Sequence, residues 1–245
     1  MFDFLKKKIY LGDLLEDFHD IHCHLLWGVD DGAPNQEATD KLSEELHALG
    51  FSHAYLTPHI IYGLYNNQNE ESLRRRFAEL VHNDKVEFRL AAEYFLDEQF
   101  GSHLQHPEQL LTMGGDWLLV EYGVQATRAT HLDQLFEASL GGFNIIIAHP
   151  ERYSFAFEAR NMHEIERLTS KGHALQLNLL SLTGHHGARV RRIAEELLLG
   201  GHYTFVGSDT HSHIYPHTIG EATISPKVAD ALKPLIENNK KVLWK

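Results

Sequence analysis

Short apolar runs alternate with helical stretches along this 245-residue chain, and most of the runs end in a histidine or a carboxylate. That alternation constrains the fold more than any other feature. Strands separated by helices imply parallel pairing, because a parallel neighbour is reached only by a crossover, normally a helix. Strands are expected at residues 18–25, 53–57, 86–93, 117–121, 144–148, 174–178 and 203–207. Helices are expected at 36–49, 70–83, 130–140, 162–171, 188–199 and 225–239, with Leu73, Phe77, Leu80 and Val81 on the buried face of the second. The 144–148 run is almost wholly apolar, as a strand covered on both faces must be. Seven such units with no glycine-rich phosphate loop favour a barrel over an open doubly wound sheet.

In a barrel the functional groups gather on the loops at the C-terminal ends of the strands. His22 and His24 end the first expected strand, with Asp31 soon after; His59 follows the second and Glu93 the third. Glu121 ends the fourth, His149 follows the fifth, and Asp209 and His211 follow the seventh. Imidazoles and carboxylates are the ligands that divalent metals take, so a metallohydrolase is the leading expectation. His22 and His24 lie two apart and share a face of their strand. Cys23 points the other way and reads as a small buried residue. Glu93 and Glu121 follow apolar runs, where a charge is costly unless it is paired or binds metal. Asp30 and Asp31 share one turn, with one expected as a ligand and the other as the cap of the next helix. Most of the 19 histidines are ordinary surface or packing residues, although His185, His186, His213 and His217 fall in loops where rim roles stay open.

Composition narrows the partners. A net charge of −12 disfavours nucleic-acid backbones and anionic membrane surfaces, and no apolar run approaches the roughly 20 residues of a membrane span. One cysteine excludes an intrachain disulfide framework and fits a reducing, cytoplasmic location. No Arg follows Cys23 closely, which argues against a cysteine-based phosphatase. Residues 1–17 read as an N-terminal extension and 18–245 as a single barrel domain.

His22-Cys23-His24, Gly28-Val29-Asp30-Asp31-Gly32, Thr57-Pro58-His59, Ala148-His149-Pro150-Glu151-Arg152-Tyr153 and Ser208-Asp209-Thr210-His211 together resemble the PHP-type bacterial tyrosine phosphatases of the CpsB/CapC family. The resemblance implies a distorted (β/α)7 TIM-like barrel (the PHP fold) with three divalent metal ions, Mn²⁺ before Fe²⁺ or Zn²⁺. By the same analogy His22, His24, Glu93 and Asp209 hold one ion, Asp31, His59 and His211 a second, and Glu121 and His149 a third, with Glu93 bridging. The implied activity is hydrolysis of phosphotyrosine by metal-activated water, on the tail of a bacterial tyrosine autokinase in capsule or exopolysaccharide regulation. With three ions and Asp31, Glu93, Glu121 and Asp209 ionised, the site would carry about +2, an attraction for a phosphate dianion.

Arg152, whose planar fork suits phosphate, is the expected clamp on the non-bridging oxygens. Members of the family often carry a second phosphate-binding Arg shortly after the Asp-x-His pair, and this chain has none between His211 and Glu221. Either His217 or His213 substitutes for it, or phosphate binding is weaker and more pH-dependent here. Rival readings are a small-molecule phosphomonoesterase such as a histidinol-phosphate phosphatase, and a non-catalytic metal-binding regulatory protein. An amidohydrolase would place a Lys at the fourth strand end, where this chain has Glu121. Tyr62, Tyr65, Tyr153 and Tyr215 are rim candidates for meeting a ligand.

Overall fold

The structure, a computed structural model, describes residues 8–65, 69–81, 84–157 and 162–244. The strands in chain order are β1 (Ile9–Tyr10), β2 (Phe18–Cys23), β3 (Phe51–Leu56), β4 (His59–Ile60), β5 (Glu87–Leu90), β6 (Glu93–Phe95), β7 (Trp117–Glu121), β8 (Asn144–Ile147), β9 (Ala174–Asn178), β10 (Phe205–Gly207) and β11 (Thr223–Ile224). The α-helices are α1 (Gln36–Ala48), α2 (Glu70–Glu79), α3 (Phe100–His103), α4 (Leu132–Leu140), α5 (Met162–Thr169), α6 (Leu179–Thr183), α7 (Ala188–Leu199), α8 (Ile214–Glu221) and α9 (Pro226–Asn238). No helix among the described residues is long and apolar enough to cross a membrane.

The result is a curled parallel α/β sheet. One ladder runs β10-β9-β8-β7-β6-β4 and another β2-β3-β5. They are joined because the second and third expected strands each continue past a break. Pro58 has no N–H to give a ladder, yet its carbonyl accepts from Glu93 N at 3.1 Å, and Ala91 N donates to Leu56 O at 2.9 Å. Pairing therefore passes from Leu56↔Leu90 to His59↔Glu93 with a bend between. At the other edge Asp209 N donates to His22 O at 2.7 Å and His24 N to Thr210 O at 2.9 Å, bringing the end of β10 beside β2. These bends matter for function, because they turn His59 and Glu93 toward His22 and His24.

The two faces of the sheet read out as two clusters. Leu118, Val120, Ile145 and Ile147 pack with the helices, while the alternate residues Leu119 and Ile146 join Ile21, Tyr55, Met113 and Phe205 in a smaller inner cluster. β2 shifts register between Asp20 and Cys23, the kind of irregularity that re-aims side chains beside a site. The chain's C-terminal segment closes the inner cluster: Leu243 is buried there, and its carbonyl accepts from Tyr55 Oη at 3.0 Å. Polar residues are thus left to the opposite end of the sheet.

Several boundaries differ from expectation, each for a local reason. α2 ends at Glu79, because Leu80 is already extended, and Val81 is 68% exposed rather than on the buried face; residues 82 and 83 lie outside the described residues. The cap of α1 is Asn35, whose side chain accepts from Ala38 N, and not either aspartate of the preceding turn. Part of the N-terminal extension is ordered structure: β1 pairs with β11, and Leu11 and Leu15 are fully buried. Tyr153 is also fully buried, donating to Ala148 O at 2.6 Å and accepting from Tyr122 N at 3.1 Å, so it braces the chain instead of forming rim.

One glycine is required by close approach. A Cβ on Gly32 would lie 1.9 Å from the carbonyl oxygen of His24 and 2.6 Å from its Cβ, so the turn after β2 folds back onto His24 only with hydrogen at this position. Gly32→Ala is therefore expected to cost about 2 kcal/mol or more through backbone displacement. That corresponds to a fall in Tm of roughly 5 °C for metal-free protein followed by circular dichroism. An unchanged Tm would show that the turn is looser than described.

Candidate metal centre

Nine side chains meet where the strands end. His22 is the last residue but one of β2 and His24 follows the strand; His59 opens β4, Glu93 opens β6, and Glu121 closes β7. His149 and Asp209 follow β8 and β10 with positive φ of 30° and 54°. Among the described residues, non-glycine positive φ occurs otherwise only at Asp17 and His131, so strained backbone is concentrated in this cluster.

The separations are short and the ring nitrogens point inward. His22 Nε2 lies 3.2 Å from His24 Nε2, 3.2 Å from Glu93 Oε2 and 3.3 Å from Asp209 Oδ1. His24 Nε2 is 3.4 Å from the same Glu93 oxygen and 3.6 Å from the same Asp209 oxygen. His59 Nδ1 approaches Glu93 Oε2 at 3.1 Å and Glu121 Oε1 at 3.0 Å. His149 Nε2 is 3.2 Å from Glu93 Oε1. Asp31 Oδ1 sits 3.5 Å from both His59 Nε2 and His211 Nε2. All nine residues named from the sequence are brought together.

Neighbouring groups fix which nitrogen faces in. The Gln176 amide nitrogen donates to Leu177 O at 2.6 Å, so its oxygen is the atom 3.0 Å from His22 Nδ1. His22 must then carry its proton on Nδ1 and turn the lone pair of Nε2 inward. Asp30 Oδ2 does the same for His24 Nδ1 at 2.8 Å, and the carbonyl of Asp209 for His211 Nδ1 at 2.8 Å. Two inward lone pairs 3.2 Å apart, facing buried carboxylates, repel unless a cation lies between them. Separations of 3.2–3.6 Å are those of ligand atoms sharing one ion with bonds of about 2.1 Å. The donor set therefore fits divalent metal. Without metal, protons fill the role. Burial alone would lower His22 and His59, but Glu93 acts on both, with Asp209 beside His22 and Glu121 beside His59. These carboxylates push His22 up to about 9 and His59 to about 12.

The aspartates of the turn divide their roles. Asp31 is the ligand-type residue, with its side chain 60% exposed at the cavity edge. Asp30 is buried and orients: besides His24 it accepts from His59 N at 3.1 Å and Gly32 N at 3.0 Å. Asp209 Oδ2 is held from outside by Arg152 Nη1 at 2.6 Å and Asn178 Nδ2 at 2.8 Å. Glu151 is fully buried and ties the Arg152 segment down, accepting from Asn178 N at 3.0 Å and Tyr203 Oη at 2.8 Å. Sequence reasoning missed Asp30, Gln176, Asn178 and Glu151 in these roles. Polar residues at alternate positions of the apolar run Ala174–Asn178 were the available signal for two of them.

The cluster forms the floor of an open cavity of about 550 Å³, whose walls include Ile61, Tyr65, Phe95, Val124 and Tyr215. Arg152 is the one Arg or Lys among its described lining residues. His217 is not brought here. It lies on α8, where a loop was expected, with its side chain 72% exposed and its Nε2 3.3 Å from Glu221. His213 likewise faces Glu45 at 3.0 Å on the outer surface. Tyr65 and Tyr215 stand by the cluster, with ring centroids 6.0 Å from His59 and 5.9 Å from His211.

Comparison with known proteins agrees with this geometry. A model of the family described as capsular polysaccharide synthesis, CpsB/CapC, matches residues 18–231. The putative tyrosine-protein phosphatase CapC of Staphylococcus aureus is 26% identical over 199 residues, covering 79% of this chain and 76% of the relative. Tyrosine-protein phosphatase YwqE of Bacillus subtilis (strain 168) is 28% identical over 200 residues, covering 79% and 77%. Among solved structures, one from the work on YwqE from Bacillus subtilis and CpsB from Streptococcus pneumoniae, described as unique metal-dependent tyrosine phosphatases, aligns with a TM-score of 0.73. Its identity is 25%, over 92% of this chain and 94% of that one. Histidinol phosphate phosphatase from Lactococcus lactis, complexed with zinc, L-histidinol and phosphate, aligns with a TM-score of 0.51 at 17% identity, over 88% and 94%, a likeness of fold alone. Since the family model runs from the start of β2 into α9 and takes in every histidine and carboxylate of the cluster, this chain belongs to the CpsB/CapC family.

Proposed function

We propose that this chain is a metal-dependent protein-tyrosine phosphatase on one distorted (β/α)7 barrel domain beginning at residue 18. The observation that carries the reading is the pair of inward lone pairs on His22 and His24, 3.2 Å apart and facing Glu93 and Asp209. His22, His24, Glu93 and Asp209 would hold one ion, Asp31, His59 and His211 a second, and Glu121 and His149 a third that shares Glu93. Among these side chains, His22/His24/Asp209 and His24/Asp31/His59/His211 each present ligand atoms within 4.8 Å of one another, which supports the first two ions. Glu121 and His149 fall in different groups, each with Glu93, and stand 3.8 Å apart. Imidazole and carboxylate without thiolate suit Mn²⁺, Fe²⁺ or Zn²⁺ alike, and Mn²⁺ is assigned from the family resemblance. Divalent ions there would supply Lewis acidity and positive charge at the phosphoryl group.

The chain's own residues do the rest. Arg152, mostly buried and already turned to Asp209, has further N–H donors on its fork for non-bridging phosphate oxygens. Asp30, Gln176 and Asn178 hold His24, His22 and Asp209 at fixed orientation, so little reorganisation accompanies binding. Tyr65 and Phe95 give an aromatic ester a wall to lie against. The substrate we assign is a phosphotyrosine segment of a bacterial tyrosine autokinase acting in capsule assembly on the cytoplasmic side. The names of the two tyrosine-protein phosphatase relatives support the phosphotyrosine part of this assignment, and the family description supports its link to capsule.

Protein stripped of metal is expected to release no phosphate from a phosphotyrosine peptide, and to recover turnover with Mn²⁺. Turnover of a phosphoserine peptide should be at least tenfold lower. Equal rates on both peptides, or full activity in excess chelator, would contradict the proposal. Arg152→Ala is expected to lower kcat/KM on the phosphotyrosine peptide roughly 100-fold, a loss typical of one charged contact to the reacting group. The metal content of that variant should stay unchanged. Arg152→Lys should recover only part of the loss, since a point charge cannot reproduce the planar fork. Unchanged turnover in Arg152→Ala would remove the clamp.

A further inference from the structure

A second hollow, of about 470 Å³, opens beside the metal-site cavity, and Ile61, Tyr65 and Phe95 line both. Its far side is built from Tyr62, Gln99 and Ser102, on the loop after β4 and around α3. The rim of the two hollows carries large exposed apolar groups. Tyr62 is 76% exposed, Leu64 61% and Val124 43%, and all three line one hollow or the other. Large apolar groups left in water around a polar site mark a surface that a macromolecule covers, and a small charged metabolite would not use them. Charge points the same way. The second hollow carries Asp97 and no Arg or Lys among its described lining residues, in a protein of net charge −12.

We propose that the two hollows form a single substrate trough. The phosphotyrosine enters the metal-site cavity, and an apolar side chain flanking it in the same polypeptide seats between Phe95, Tyr62 and Ser102. This rests on the phosphatase reading and adds its specificity: apolar flanking residues are accepted and acidic ones are turned away by Asp97. Ile61, Tyr65 and Phe95, which line both hollows, set them side by side, so an extended peptide that passes over these residues reaches from one into the other.

The test compares phosphotyrosine peptides bearing Leu, Gly or Asp at each flanking position with a small aryl phosphate, p-nitrophenyl phosphate, on Mn²⁺-loaded protein. At one position Leu is expected to exceed Asp about tenfold in kcat/KM, chiefly through KM. Ser102→Trp, which fills the second hollow from an exposed site on α3, should abolish that preference while p-nitrophenyl phosphate turnover stays within about twofold. Tyr62→Ala should weaken the preference in the same direction. Wild-type turnover without any flanking preference, or a Ser102→Trp loss equal on peptide and p-nitrophenyl phosphate, would overturn the trough and leave the phosphatase standing. No turnover of any phosphoester would remove the phosphatase reading, and the trough with it.

Discussion

Electrostatic crowding at the strand ends governs this structure. Glu93, Asp209 and Glu121 are buried together with His22, His24 and His149, and Asp30 lies just behind them. Groups of this kind are costly to remove from water unless each charge finds a partner. Much of the surrounding architecture supplies those partners. The bend at Pro58 delivers His59, the break before Glu93 places a carboxylate within reach of four imidazoles, and positive φ at His149 and Asp209 accompanies two more side chains aimed inward. A fold that satisfied its backbone more evenly would leave these groups spread along a rim.

A second layer makes the crowding specific. Asp20 accepts from Ser208 N at 2.9 Å and Ser208 Oγ at 2.6 Å, binding the segment before Asp209 to the strand that carries His22. Gln176, Asn178 and Asp30 each hold one face of a cluster residue so that only the other face is free. Loss of one such bond would tilt a ring or carboxylate rather than delete it. Arg152 belongs to this layer and to the cavity at once: it fixes Asp209 while reaching the surface where a phosphate would sit.

The sequence made the parallel layout and the nine cluster residues legible because both depend on local pattern. Apolar runs with a ligand-type residue at the end survive small errors in strand boundary. What stayed hidden depends on contacts between distant segments. Asp30 and Asp31 are identical neighbours, and only the turn folding back through Gly32 decides that one orients His24 and the other faces the cavity. Gln176 and Asn178 take their roles from distant segments: β9 pairs with β10, and from there their side chains reach His22 and Asp209. His217 was expected near the site from a loop reading of its segment, but the segment is helix α8 and carries the ring outward to Glu221. Tyr153, a rim candidate from sequence, is buried, and its hydroxyl bridges two backbone groups of distant segments.

The central claim is that these nine side chains form one polynuclear metal centre. An anomalous-difference map from a crystal grown with Mn²⁺, collected near the manganese edge, tests it directly. Three peaks are expected within the cavity, each about 2.0–2.4 Å from imidazole or carboxylate atoms of the assigned group. A map with no peak among these residues, or a single ion held by only one of the groups, would contradict the account.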